Sequence, residues 1–382
     1  GVETISGTEL GAEQWAYIPR NALPYLKYFT DRDNYKHLYY VDGPTVLADV
    51  STKVPSGCSD DYSLCGKDTV YGTNWGTVLI GSMGLGGASR LKATTACADG
   101  TTGTCVKTPI YEPVLSGTGY TYDTTKGIGY SSYFAMDITD QYFNSDGTLA
   151  HQPTLKWELA HPELGYATSG AAIVRISARV TDPLSGLSVP DSTKNGKWYA
   201  VFASGPTGPI DTSMHQFKGK SDQNLKLFIV DLGATGALTL NTNFWIKDTG
   251  VQRAYGGSML PAPVDSDRWD SAAPGNYQHE ALYFGYTKAN ILDSAAITAA
   301  TEWTDGGVLR LLTKEDPNPA NWVISPLISG IGPVTSGVTR LQDRVNKKLW
   351  LYFGTGRFYY SGDDSDSQRY LLGVQEGCYN SA

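Results

Sequence analysis

Short apolar strands recur along the whole sequence, separated by turns rich in glycine and aspartate. Each recurrence begins with a strand of small residues, continues with a more apolar strand, and then adds a strand in which apolar and polar residues alternate. The first strands are predicted at 43–50, 169–176, 258–265 and 332–341. The second are predicted at 75–82, 197–205, 281–285 and 349–356, and the third at 133–140, 225–232, 306–313 and 369–375. A fourth strand is predicted at 153–160 and 243–249.

Three or four short strands per unit, repeated along a chain, are typical of a β-propeller, in which each four-stranded blade packs on its neighbours. We therefore predict an all-β fold, a β-propeller with irregular blades; a β-sandwich with added loops is the alternative. The units begin at uneven intervals, so long inserted loops are expected at about 51–74, 94–130 and 177–196. Such insertions cost little stability because loop-closure entropy rises slowly with length.

Residues 1–36 are predicted to form a short N-terminal helical lead-in that packs on the propeller, and residues 37–382 a single propeller domain. Apolar residues within 11–29 recur at roughly helical spacing. Pro19 and Pro24 interrupt that spacing, and proline removes a helical hydrogen bond, so only short helical turns are expected there.

Composition excludes several classes of protein. The chain has 43 glycines and 25 tyrosines among 382 residues, and only 18% of its residues are charged, which disfavours a helical bundle. A net charge of −8 makes nucleic-acid binding improbable. No apolar run reaches about 18 residues, so no helical membrane span is expected. The chain begins with Gly1 and shows no leader, and we interpret it as a processed or excised piece.

Four of the five cysteines form two close pairs, Cys58 with Cys65 and Cys97 with Cys105, and each pair brackets a polar loop. This arrangement predicts disulfide-pinned surface loops in an oxidising compartment. A zinc site is the alternative, but neither pair has the spacing of zinc ligands or a nearby histidine. Cys378 is left over; we expect its partner outside this chain, or a free thiol.

Several segments resemble the C-terminal β-propeller domain of the PilC/PilY proteins of type IV pili. They occur in order at 14–50, 77–87, 133–140, 155–174, 195–205 and 351–376. Members of that family are secreted, have a variable N-terminal region before the propeller, and act with minor pilins at the pilus tip. The resemblance therefore implies a non-catalytic protein, exported through the periplasm, that supports pilus extension, twitching motility and adhesion to host or abiotic surfaces.

The acidic segment 261–285, PAPVDSDRWDSAAPGNYQHEALYFG, matches a calcium loop that some family members carry, with the pattern D-x-D-x-D-x-x-x-D. Asp265 and Asp267 fall on its first and third positions, Trp269 falls where an oxygen is expected, and Asp270 comes one step late. Matched from the strand that follows, Glu280 takes the last ligand position. Calcium prefers six to eight oxygen ligands. The resemblance thus predicts calcium at Asp265, Asp267, Asp270 and Glu280, with a degenerate loop of turn-capping aspartates as the open alternative.

A second acidic cluster at 361–368 contains Asp364 and Asp366, which could share a cation but more simply lie in a solvated hairpin loop. Catalytic patterns are missing: the sequence has no adjacent Cys-Cys pair, no G-x-S-x-G elbow, and no histidines at metal-ligand spacing. Two alternatives to a pilus protein are kept. One is a stand-alone extracellular adhesion or carbohydrate-binding propeller, and the less favoured one is a quinoprotein-like propeller enzyme.

Overall fold

The computed structural model describes the following residues: 13, 15–30, 39–52, 75–87, 111–113, 120–122, 130–139, 151–191, 196–207, 210–211, 216–217, 219–260, 263–266, 278–291, 302–343, 345–359, 361–363 and 368–377. These residues form 21 β-strands and short 3₁₀-helices, without an α-helix among them. The all-β prediction is confirmed. Within the same described ranges, no helix is long and apolar enough to cross a membrane.

Most strands belong to four antiparallel sheets that follow one another in chain order, which we call blades 1 to 4. Blade 1 consists of β1 (Val46–Ser51), β2 (Trp75–Ser82), β5 (Tyr133–Asp137) and β6 (Thr154–Leu159). Blade 2 consists of β7 (Ala172–Ile176), β10 (Lys197–Ala203), β13 (Lys226–Asp231) and β14 (Phe244–Asp248). All four strand types predicted for these two units are therefore present.

Blade 3 consists of β15 (Ala254–Gly256), β16 (Ala281–Lys288), β17 (Asp305–Leu312) and β18 (Val323–Ser329). Blade 4 consists of β19 (Thr339–Asp343), β20 (Lys348–Gly354) and β21 (Leu371–Gln375). Three two-stranded hairpins complete the strands: β3 (Tyr111–Pro113) with β4 (Tyr120–Tyr122), β8 (Arg179–Thr181) with β9 (Ser188–Pro190), and β11 (Ile210–Asp211) with β12 (Gln216–Phe217). The first two hairpins lie in the expected insertions at 94–130 and 177–196.

The sequence pattern failed at two strands of blade 3 and misplaced the first strand of blade 4. The latter was predicted at 332–341, but β19 begins at Thr339. Proline explains the two failures in blade 3. The first strand predicted there at 258–265 is wrong over most of its length, since β15 ends at Gly256 and, among the described residues of the segment, Val264 alone forms a β-bridge, to Ala281. Proline lacks the N–H donor that a ladder needs, and this segment contains two. The outer strand β18 was not predicted because Pro326 interrupts its apolar sequence pattern. In the structure Pro326 lies within the strand and pairs with Leu309, beside a register shift.

The starts of successive units contact one another, as neighbouring blades of a propeller do. A Cβ atom on Gly170 would lie 3.1 Å from the Pro44 side chain, so the entries to blades 1 and 2 are in contact. The entries to the later blades join through two backbone bonds, Met259 N to Ser169 O (2.7 Å) and Ser258 N to Thr335 O (2.9 Å). Together with the four successive blades, these contacts confirm the β-propeller prediction.

The core is densest in blade 2. In β13 the side chains from Leu227 to Asp231 are all buried, which is the pattern of a strand covered on both faces. A row of aromatic rings crosses from blade 1 through blade 2: Tyr133 stacks on Phe202 at 4.0 Å, Phe202 on Phe228 at 5.9 Å, and Phe228 on Phe244 at 6.1 Å between ring centroids. Burial of each such ring contributes about 1.5–3 kcal/mol.

The lead-in differs from its prediction. A helical lead-in is not supported as an α-helix: the segment Arg20–Phe29 forms a 3₁₀-helix, whose hydrogen bonds span one residue fewer. It contacts the outer part of blade 1, where the backbone amides of Arg20 and Asn21 donate to the carboxylate of Glu158 at 2.9 and 3.1 Å. The Tyr17 ring packs on Phe134 at 4.9 Å between centroids.

Candidate functional site

The propeller has two faces. At one face, which we call the upper face, the second strand of each blade ends and the third begins; in blade 3 this is where Lys288 pairs with Asp305. At the opposite, lower face the second strand begins and the third ends, as where Ala281 pairs with Leu312. The described ends of the acidic segment, 263–266 and 278–280, lie at the lower face of blade 3, because the second of them leads directly into Ala281.

The structure brings Asp265 and Glu280 together, as the calcium prediction requires. Val264 and Ala281 form a narrow bridge in which Val264 N donates to Ala281 O at 2.7 Å and Glu280 N donates to Val264 O at 3.0 Å. The backbone N–H of Ser266 then donates to Glu280 Oε2 at 2.6 Å. Asp265 is 7% exposed, and its Oδ1 atom and the Oε1 atom of Glu280 are shielded from solvent. The two carboxylates thus flank one end of the loop.

The ends of this loop are anchored to blades 2, 3 and 4. Gln342, from blade 4, donates to the carbonyl oxygen of Asp265 at 2.8 Å. The Thr313 hydroxyl donates to the carbonyl oxygen of His279 at 2.6 Å. His279 also pairs with Arg175 of blade 2, whose N–H donates to His279 Nδ1 at 2.9 Å while His279 N donates back to Arg175 O at 2.9 Å. The imidazole therefore has a structural contact, and the loop ends have a fixed position.

Asp267 and Asp270 lie outside the described residues, so the structure brings together two of the four residues predicted to bind calcium. Among the described residues, no group of three or more His, Cys, Asp or Glu side chains is placed to hold a metal ion. Two carboxylates supply part of the oxygen shell that calcium takes, and calcium stays a prediction. The four cysteines of the predicted disulfides, Cys378, and Asp364 and Asp366 also fall outside the described part of the chain.

The upper face carries a buried ionic cluster that the sequence did not indicate. Arg357, which follows β20, has a side chain only 4% exposed, and its Nη2 atom lies 2.9 Å from Oδ1 of Asp363, whose side chain is 6% exposed. Its Nη1 atom donates to the carbonyl oxygen of Gly219 in blade 2 at 2.6 Å. Asp363 belongs to the acidic cluster interpreted as solvated; for this residue the interpretation is wrong, because Arg357 compensates its charge inside the protein.

Asp363 also accepts hydrogen bonds from two other residues of the upper face. Its Oδ2 atom accepts a hydrogen bond from Tyr359 N at 2.9 Å, and its carbonyl oxygen accepts one from Arg369 Nη2 at 2.5 Å. The Arg369 stem crosses directly over Gly356, where a Cβ atom would lie 2.7 Å from Arg369 Cδ. Gly356 has a φ of 118°, a conformation that favours glycine, whereas the exposed Arg369 side chain could move aside for a Cβ atom.

Glu302 completes the cluster from blade 3. Its carboxylate lies 3.5 Å from Arg357 Nη2 and 3.8 Å from Lys220 Nζ, and its side chain is 40% exposed. Lys220, with a side chain 8% exposed, also lies over the Trp303 ring at 5.3 Å from the ring centre. Burial raises the pKa of Tyr255 and raises that of Tyr359 well above the ordinary value, so both phenols beside the cluster are neutral at physiological pH.

A cavity of about 540 Å³ opens beside this cluster, between blades 3 and 4, and we call it the upper-face cavity. Its lining combines charged, amide, hydroxyl and aromatic side chains, which include Glu302, Thr304, Arg357, Gln368, Arg369 and Tyr370. These residues are far apart in the sequence, and no short motif marks them as parts of one site. In the sequence the site is indicated only by two arginines, one directly after the predicted strand 349–356 and one shortly before β21.

Comparisons with known proteins found one partial sequence similarity and one structural similarity. No family model matches the chain. A stretch of 77 residues, 20% of the chain, is 39% identical to the type IV pilus biogenesis factor PilY1 homolog of Xylella fastidiosa, and it spans 5% of that protein. The crystal structure of the Pseudomonas aeruginosa PilY1 C-terminal domain is similar with a TM-score of 0.48 at 18% identity, covering 97% of this chain and 54% of that one. The Xylella match confirms the resemblance of this chain to the PilC/PilY family.

Proposed function

We propose that the chain is a non-catalytic β-propeller of type IV pilus biogenesis, located at the pilus tip. The observation that carries the proposal is the 77-residue match to a PilY1 homolog whose name states a role in type IV pilus biogenesis. The ordered motifs over most of the sequence support it. The chain spans 5% of that relative, so the role of the whole protein is inferred from this part.

The contacts between blades suit a component that transmits tension from a surface to a filament. Blades 1 and 2 are joined by the hydroxyls of Tyr133 and Ser169, 2.9 Å apart. Blade 4 is joined to blade 3 through Glu376, which accepts a hydrogen bond from the Tyr283 hydroxyl at 2.8 Å and lies 2.7 Å from Arg310 Nη1. Because these contacts are buried, load applied to one blade passes to the next rather than opening a loop.

The partners that we propose are minor pilins at the pilus tip and a host or abiotic surface, with the protein extracellular after export through the periplasm. Loops at the two faces would carry those contacts, since the interiors of blades 1 to 3 are filled by their own side chains. The negative net charge of −8 favours basic partner surfaces.

Deletion of the gene tests this role directly. We expect loss of surface pili and of twitching motility, both restored by the wild-type gene. Normal piliation and normal twitching in the deletion strain would contradict the proposal. The measurement needs a strain without a second gene of the same type, so that a substitute protein does not hide the effect.

Calcium is the second part of the proposal. An ion bound between Asp265 and Glu280, with Asp267 and Asp270 in its shell, would join the acidic segment to β16 and order the lower face of blade 3. Occupancy would change partner affinity to the extent that calcium binds one loop state better than the other. The proposal is supported by the position of Asp265 and Glu280 on either side of the Val264–Ala281 bridge, each with a shielded carboxylate oxygen, where the family pattern expects ligands.

Isothermal calorimetry on the chelator-treated chain tests the ion. We expect calcium binding in the wild type, its loss in Asp265→Ala and Glu280→Ala, and unchanged binding in Asp364→Ala, whose residue belongs to the other acidic cluster. Absence of binding up to millimolar calcium would contradict a calcium site, while leaving the pilus role untouched.

A further inference from the structure

The upper-face cavity is lined by polar side chains together with apolar surface that includes Ile331 and Pro333, and its size suits a small ligand. Its volume of about 540 Å³ lies within the range of about 300–1,000 Å³ that is usual for small-molecule sites. We infer that this cavity binds a neutral sugar unit of a surface glycan. The inference gives a ligand class to the adhesive part of the proposed function and rests on it to that extent.

The walls of the cavity are held in position before any ligand arrives. Asp363 accepts from the guanidinium of Arg357, from the backbone of Tyr359 and, through its carbonyl oxygen, from Arg369. A buried ion pair of this kind contributes little net stability, because the desolvation of its charges offsets their attraction. What it does provide is a fixed geometry, and a preformed site loses less conformational entropy when it binds.

The groups that line the cavity can both donate and accept hydrogen bonds. Glu302 presents a carboxylate that is 40% exposed, with Arg357 Nη2 at 3.5 Å and Lys220 Nζ at 3.8 Å. Gln368 and Arg369 are exposed and carry planar forks, which can bind two neighbouring hydroxyl groups at once. Tyr370 is 50% exposed and offers an aromatic face to the C–H groups of a sugar ring.

Charge disfavours a cation at this cavity. A divalent cation would meet Arg357, Arg369 and Lys220, three positive groups in or beside the cavity. An anion would meet the carboxylate of Glu302 as well as the exposed Arg369, so a charge-removing variant of Glu302 is needed to distinguish an anionic from a neutral ligand. An apolar ligand would remove the Glu302 carboxylate from water without replacing its hydrogen bonds, which is costly. A neutral polyhydroxylated ring satisfies both donors and acceptors.

The test measures binding of the 382-residue chain to the neutral methyl glycosides of glucose, galactose, mannose and N-acetylglucosamine. Saturation-transfer NMR detects the binding, and a glycan array provides a second readout. We expect at least one neutral sugar to bind. Tyr370→Ala should weaken that binding about tenfold, equivalent to about 1.4 kcal/mol. Tyr352→Ala is the matched control, since Tyr352 is an exposed tyrosine of the same blade outside the cavity, and it should leave binding unchanged.

Glu302→Gln distinguishes a neutral ligand from an anionic one. Removing the carboxylate charge weakens its hydrogen bonds to sugar hydroxyls, so a neutral sugar should bind several-fold more weakly. An anion would bind more tightly in the same variant. The inference is overturned if no neutral sugar binds, if only charged glycans bind, or if Tyr370→Ala and Glu302→Gln bind like the wild type. Cells that carry these two substitutions should keep their pili, so failure here is separable from failure of the pilus role.

Discussion

Blade 2 and blade 4 share an antiparallel topology, but they bury very different shares of their side chains. In blade 2 the middle strands β10 and β13 are buried at nearly every position. In blade 4 the middle strand β20 buries only every second residue, and the edge strand β21 alternates between exposed and half-buried residues, with Leu371 82% exposed. The comparison teaches that one repeated unit serves two purposes: central blades supply apolar packing, whereas the last blade supplies polar sites and surface.

Position in the chain explains the difference. Blade 2 packs between the first and third blades, and its strands join the largest cluster of buried side chains. Blade 4 belongs to a smaller cluster, formed by Leu349, Leu351 and Phe353 with residues of blade 3. Its loops instead form the wall of the upper-face cavity, and Gln342 supports the acidic segment. Both candidate sites therefore lie at the junction of blades 3 and 4.

The largest effect is expected from the centre of blade 2. Phe228→Ala removes a fully buried ring from the aromatic row and leaves a cavity, which should lower the free energy of unfolding by about 3–5 kcal/mol. Urea denaturation followed by tryptophan fluorescence measures it. A loss below about 1 kcal/mol would mean that blade 2 is not the packed centre of the molecule.

A smaller loss is expected at the upper-face cluster. Asp363→Ala leaves the Arg357 guanidinium inside the protein without its nearest carboxylate, and this should destabilise the fold by about 3 kcal/mol. The control is Lys197→Ala, because Lys197 pairs with Asp231 at 2.9 Å but has a side chain 55% exposed. Exposed pairs contribute about 0–1 kcal/mol. Equal losses in the two variants would show that the Arg357–Asp363 pair is open to solvent.

The contribution of the lead-in on blade 1 to stability should depend on alkaline pH. Burial and the nearby Glu158 charge raise the pKa of Tyr17 from 10.0 to about 12. A raised pKa means that the folded state favours the neutral phenol. Its contribution to stability is complete below pH 10 and is lost as the pH rises through 12. Unfolding by urea at a series of pH values should show that Tyr17→Phe loses less stability above pH 10 than the wild type; parallel curves would contradict it.

The smallest effect is expected on the surface of blade 4. Leu371→Ser replaces a side chain that is 82% exposed, so the free energy of unfolding should change by no more than about 0.5 kcal/mol. The midpoint of urea unfolding is sufficient to detect a larger change. A loss of more than about 2 kcal/mol would show that this face is covered in the folded protein, and the contrast between the blades would disappear.

The sequence was sufficient for the fold because the middle strands are nearly continuous apolar runs. Segments such as 225–232 and 197–205 predict buried strands without any knowledge of their neighbours. The errors arose where local chemistry opposes strand formation, at the prolines around 258–265 and at Pro326 in β18. Both segments lie at the edges of blade 3, next to β15 and within β18. Proline is tolerated there because the outer side of an edge strand needs no ladder hydrogen bond.

The candidate sites were predictable to different degrees. Asp265 and Glu280 could be paired from the sequence, since the family pattern places both beside the same strand. The upper-face cavity could not be, because Glu302 and Arg369 meet only after two blades have folded against each other. Asp363 shows the same limit: in sequence it belongs to a polar acidic run, and only the tertiary contact with Arg357 makes it a buried group.

The location of the chain on the pilus tests the central claim most directly. Subtomogram averaging of intact pili, with a labelled antibody fragment bound to the chain, would show where its density lies. We predict density for a disc of blades at the pilus tip and none along the shaft. Label distributed along the shaft, or confined to the cell body of normally piliated cells, would contradict a tip protein of type IV pilus biogenesis.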